Sequence, residues 1–164
     1  MMSKTIIHLH LSPISSKWAF HHLGQYSQTS FFRKQLRKML ELLMEPRPID
    51  YKEKEYDHAS DVIIRLPSDI KPNRREVRST HHWIPPKSMK ILDEMISQMW
   101  RHELAVWVMT KSRIDGVKEI DVIYDFIQLY DIADEELGDE MALKIVQRAK
   151  KKLSRFFFME MSGA

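Results

Sequence analysis

Ser88 to Lys111 reads SMKILDEMISQMWRHELAVWVMTK, and this stretch decides the fold class. Leu92, Met95, Ile96, Met99, Trp100, Leu104, Trp107 and Val108 fall at helical spacing. That spacing puts a wide apolar stripe on one side of a long helix. Ser88 is suited to cap its start, and Gly116 breaks the chain beyond its end. Downstream, a helix over Val117–Tyr130 carries Ile120, Ile123, Phe126 and Ile127. An acidic turn follows at Asp131–Gly138, and Asp139 caps a last helix to about Phe157.

Upstream the period changes from helical to alternating. Lys4–Leu11 (KTIIHLHL) reads as a strand closed by Pro13. Ser15 or Ser16 caps a short helix over Lys17–Gln25. Thr29 or Ser30 caps another over Phe31–Met44, whose Leu36, Met39, Leu40 and Leu43 share a face; Pro46 and Pro48 stop it. Residues 47–60 read as a loop, Asp61–Leu66 (DVIIRL) as a second strand, 68–82 as a basic connection and His81–Ile84 as a short third strand. The strands at 4–11 and 61–66 are too short to stand alone and are expected to pair in one sheet covered by the helix at 31–44. The expected fold is α+β and predominantly helical, with a small two- or three-stranded sheet packed on helices and a C-terminal helical half. Residues 1–80 form a strand–helix–helix–strand region and 81–164 a helical region, with one continuous domain as the alternative.

The 164 residues include 43% hydrophobic and 30% charged side chains, four glycines and no cysteine. That composition suits a folded chain and excludes disulfides, thiolate metal sites and a cysteine nucleophile. No apolar run approaches the ~20 residues that span a bilayer. The first eleven residues, interrupted by His8 and His10, lack a signal-peptide core. A cytoplasmic protein without membrane contact is expected.

Net charge is only +3, so clustering matters more than the total. Between Arg65 and Lys90 stand seven cations, Arg74, Arg75 and Arg78 among them, opposed by Asp69 and Glu76. Arg33, Lys34, Arg37 and Lys38 share one side of their helix. On the last helix Lys144, Arg148, Lys151 and Arg155 recur at i, i+4, i+7 and i+11, opposite Ala142, Ile145, Val146, Ala149 and Leu153. Phosphate contacts need cations arrayed at such repeats. Arg74, Arg75, Arg78, Lys144, Arg148 and Lys151 are therefore the expected nucleic-acid-binding residues. The competing explanation is a solvated helix face whose acidic start and basic end complement the helix dipole.

The stretch IYDFIQLYDIADEELGDEMALKIVQRAKKK, within residues 117–155, resembles the C-terminal DNA-binding region of small Mu-type phage transcription activators. The resemblance implies a helix-turn-helix and a dimeric regulator with the last helix near the major groove. Asp139 and Glu140 make the N-terminal end of that helix acidic, and plain helical-bundle packing accounts for the same pattern.

His8 and His10 lie at i and i+2, on one face of the first strand. A His–apolar–His strand also looks like the metal motif of single-strand DNA nickases and the smallest transposases. Those enzymes use a tyrosine nucleophile, a role open here to Tyr51 or Tyr56. Two histidines on a half-buried strand face are the simpler account. No P-loop, GxGxxG, GxSxG or HExxH pattern occurs, and no catalytic residue, metal or cofactor is assigned. The functional expectation is a non-enzymatic DNA-binding or accessory protein of phage or mobile-element origin. The alternative is an interaction module, with the Met- and Trp-rich long helix as a homodimer surface. The remote alternative is a metal-dependent nickase.

Overall fold

The computed structural model describes residues 6–25, 31–52, 61–65 and 82–162. In chain order the elements are β1 (Ile6–His10), α1 (Pro13–Gln25), α2 (Phe31–Leu43), β2 (Glu45–Pro46), β3 (Asp61–Arg65), β4 (His82–Trp83), α3 (Pro86–Ile114), α4 (Glu119–Leu129) and α5 (Asp139–Ser162). The fold is α+β and predominantly helical. Two compact units, Met1–Ile96 and Ser97–Ala164, divide within α3.

In the first unit β1 and β3 pair antiparallel, with Ile7 opposite Ile64, His8 opposite Ile63 and Leu9 opposite Val62. Alternation sends Ile7 and Leu9 into the core and leaves His8 and His10 half-buried on the other face. The expected pairing of the two strands is therefore present. Helix α1 makes a close backbone approach to β3, and α2 in turn approaches α1. The third strand joins a separate ladder, in which Glu45 faces Trp83 and Pro46 faces His82.

Pro13 opens α1 rather than only closing the strand. Proline is favoured at a first helical position because the N–H it lacks has no helical partner there. Ser12 takes the cap position; its carbonyl accepts the Ser16 N–H at 2.9 Å. Pro86 opens α3 in the same way, two residues before the expected Ser88. Leu36, Met39 and Leu40 of α2 are buried as their spacing predicts.

The second unit is helical among its described residues. The stripe of α3 is interior: Leu104 and Val108 are fully buried and Trp100 nearly so. Gly116, at φ +64°, supplies the left-handed turn that ends α3. Phe126 of α4 lies edge-on to Trp107, with ring centroids 5.6 Å apart. Asp131 adopts φ 52° just past α4. The Ile132 N–H reaches the Ile127 carbonyl at 3.0 Å and the Asp131 N–H the Gln128 carbonyl at 3.3 Å, the two bonds of a Schellman cap. The connection from Tyr130 to Gly138 then leads to α5.

Candidate functional site

Two basic regions stand out, one in each unit. The first to be built up is α5. Ala142 and Val146 are fully buried, which fixes the rotation of the helix. Lys144, Arg148, Lys151 and Arg155 then fall on its exposed side. At about 1.5 Å of rise per residue, neighbouring cations stand roughly 4.5–6 Å apart along the axis and span about 16 Å. Further along, every residue from Lys151 to Arg155 is exposed, Leu153 included. No side of the helix is covered over that turn.

Lys150 is set apart from this row. It pairs with Glu119 at the start of α4. The acidic first turn of α5 is partly engaged as well: the Tyr124 hydroxyl donates to Asp139 Oδ2 at 2.8 Å. That hydrogen bond, and then the Asp139 charge, raise the Tyr124 phenol above its ordinary value.

Arg74, Arg75 and Arg78 lie outside the described residues, as does Tyr56. The cations of α2 are partly committed: Arg33 donates to the Leu23 carbonyl, and Arg37 pairs with Glu41 at 3.2 Å. The stripe of α3 that suggested a dimer surface is largely buried within the chain; the exposed large apolar side chains of α3 are Ile91, Met95, Val106 and Ile114.

The second region is a cleft of about 540 Å³ in the first unit. Strand β1 brings His8 and His10 to it, and β4 brings His82 and Trp83. The turn after β2 brings Arg47, Tyr51 and Lys52, and the first turns of α3 bring Lys90 and Asp93. The Arg47 Nε donates to the His82 carbonyl at 3.2 Å. Its guanidinium lies over the Tyr51 ring, 4.8 Å from the centroid. Tyr51 in turn meets Trp83 edge to face, with centroids 5.0 Å apart. Asp93 accepts the Ser12 N–H at 2.9 Å, and the Ser12 hydroxyl lies 2.9 Å from the same oxygen. Among the described residues that line the cleft, Arg47, Lys52 and Lys90 are cations and Asp93 is the one carboxylate.

His8, His10 and Tyr51, named together in the sequence, do line one cleft. Among the described residues no three His, Cys, Asp or Glu side chains are grouped to hold a metal ion. Arg47, His82, Trp83 and Asp93 were not singled out for this site. Trp83 between His82 and Pro85 was the available signal, but its partner strand is only two residues long.

No helix among the described residues is long and apolar enough to cross a membrane. Comparison of the chain with family models, curated proteins and solved structures finds no match.

Proposed function

We propose that the protein binds nucleic acid, DNA in the first instance, through sequence-independent phosphate contacts along α5 and without catalysing a reaction. The observation that carries this reading is the exposed row Lys144, Arg148, Lys151 and Arg155, on a helix uncovered all round from Lys151 to Arg155. A helix needs one buried face to be held by packing. A turn with no buried face and several cations is disposed toward a polyanion rather than toward the protein's own core. The charge density of the 65–90 segment of the sequence separately supports phosphate contacts by Arg74, Arg75 and Arg78.

The test is fluorescence anisotropy on a labelled mixed-sequence duplex over a range of salt concentrations. Affinity is expected to fall steeply with salt. The variant Lys144→Ala/Arg148→Ala/Lys151→Ala should flatten the log–log slope by about 0.9 for each phosphate contact removed. Arg74→Ala with Arg75→Ala should weaken binding to all sequences alike. The melting temperature of the α5 variant should barely move, because the charges it removes are exposed and contribute little to stability. Absence of binding at low salt, or a triple variant that binds like the parent, overturns the reading.

A further inference from the structure

The cleft of the first unit is chemically unlike α5. It is concave, it joins cations to aromatic rings, and nothing in the α5 reading uses it. We propose that this cleft binds a nucleoside phosphate, with the phosphate on Arg47, Lys52 and Lys90 and the base against Tyr51 and Trp83. The proposal does not rest on DNA binding by α5.

Charge sets the sign of the ligand. Among the described lining residues there are three cations and one carboxylate, and that carboxylate, Asp93, is already engaged by the Ser12 N–H and hydroxyl. That balance disfavours a cationic ligand and favours an anion. Geometry narrows the anion further. The bond from Arg47 Nε to the His82 carbonyl orients the guanidinium, and its position over Tyr51 holds it from one side. An oriented guanidinium presents its terminal NH2 groups as a fork, which suits the oxygens of a phosphate. Lys52 and Lys90 are both exposed and supply point charges to the same anion.

The aromatic pair argues for more than a bare phosphate. Tyr51 and Trp83 remain half-buried beside the cations. Ring faces next to phosphate-binding cations are the combination by which proteins hold single-stranded nucleic acid, one base per aromatic platform. A volume of about 540 Å³ lies within the range of about 300–1,000 Å³ typical of small-molecule sites. That leaves room for one base, sugar and phosphate. His8 and His10 also line the cleft.

The same unit can arrive as a free nucleotide or as one residue of a single strand. Isothermal titration of the full chain with adenosine 5′-monophosphate, adenosine, inorganic phosphate and a short single-stranded oligonucleotide separates these sources. The nucleotide should bind more tightly than either adenosine or phosphate alone, because both halves of the cleft are then filled. An oligonucleotide that binds more tightly still, and is displaced by the nucleotide, identifies a strand as the source. Equal binding identifies the free nucleotide. Lys52→Ala with Lys90→Ala should weaken nucleotide binding by about tenfold or more, as lost charge-assisted contacts do. Both side chains are exposed, so folding should be retained, and an unchanged melting temperature checks this. The triple variant of α5 should bind the nucleotide like the parent. Failure of both nucleotide and oligonucleotide to bind at millimolar concentration overturns the proposal. So does phosphate binding as tightly as the nucleotide, or nucleotide affinity unmoved by the two lysine substitutions. None of these three results bears on the salt-dependent duplex binding expected of α5, so the two readings fail separately.

Discussion

Two side chains show how a single residue ties chemistry to stability. Tyr124 is exposed, and its hydroxyl donates to Asp139 in the acidic first turn of α5. The hydrogen bond exists only while the phenol keeps its proton, so the folded state holds that proton more tightly than the unfolded chain does. The contribution is fully present below about pH 10, the ordinary phenol value. It is lost as pH rises through the higher value of the folded state. Tyr124→Phe should therefore melt slightly below the parent at neutral pH, and the gap should close above pH ~10. A gap that widens with alkalinity would contradict the geometry. Trp100 presents the opposite situation, an indole 3% exposed. Trp100→Ala should cost ~3–5 kcal/mol in a denaturant titration. An unchanged midpoint would mean that the side chain is not part of the interior.

At the scale of elements, α3 is the helix on which both units depend. It supplies Leu92 and Ile96 to the first and Leu104 and Val108 to the second, all fully buried. Ser97 sits at the division and is itself buried. A proline there removes one helical hydrogen bond and collides with the preceding turn, at a cost of about 3 kcal/mol or more. Ser97→Pro should therefore reduce amide-exchange protection in both halves of α3. Protection lost in one half alone would show that the two halves hold their helical structure separately. The strands tell a related story. β1 and β3 were recognisable because each is β-branched and Pro-bounded, and the alternation of β1 was visible in Ile7, His8, Leu9 and His10. β2 was not, since Glu45–Pro46 is too short to show any period.

For the molecule as a whole, net charge is a poor guide to function. An excess of +3 spread evenly would steer nothing strongly. What counts is that α5 separates its cations from its buried Ala142 and Val146, and that the described lining of the cleft holds three cations and one carboxylate. The α5 row was legible, because helical spacing fixes which residues share a side once the helix is recognised. The cleft was legible only in fragments. His8 and His10 were paired by strand alternation and Tyr51 was named with them as a possible nucleophile, yet nothing local placed Arg47 near His82 or Trp83 near Tyr51.

By itself the sequence determined the helix-rich α+β class, the places of β1, β3 and the five helices, and which side of α5 is cationic. Those features follow from periods of 3.6 and 2, from caps and from proline, all of which act over a few residues. Only the tertiary structure decided that α1 meets β3, that β4 leaves the first sheet to pair with β2, and that side chains from β1, β4, the turn after β2 and α3 line one cleft. Such contacts join residues far apart in the chain, as Ser12 and Asp93 are. Loop closure and burial select them globally, and no short window of sequence carries their signature.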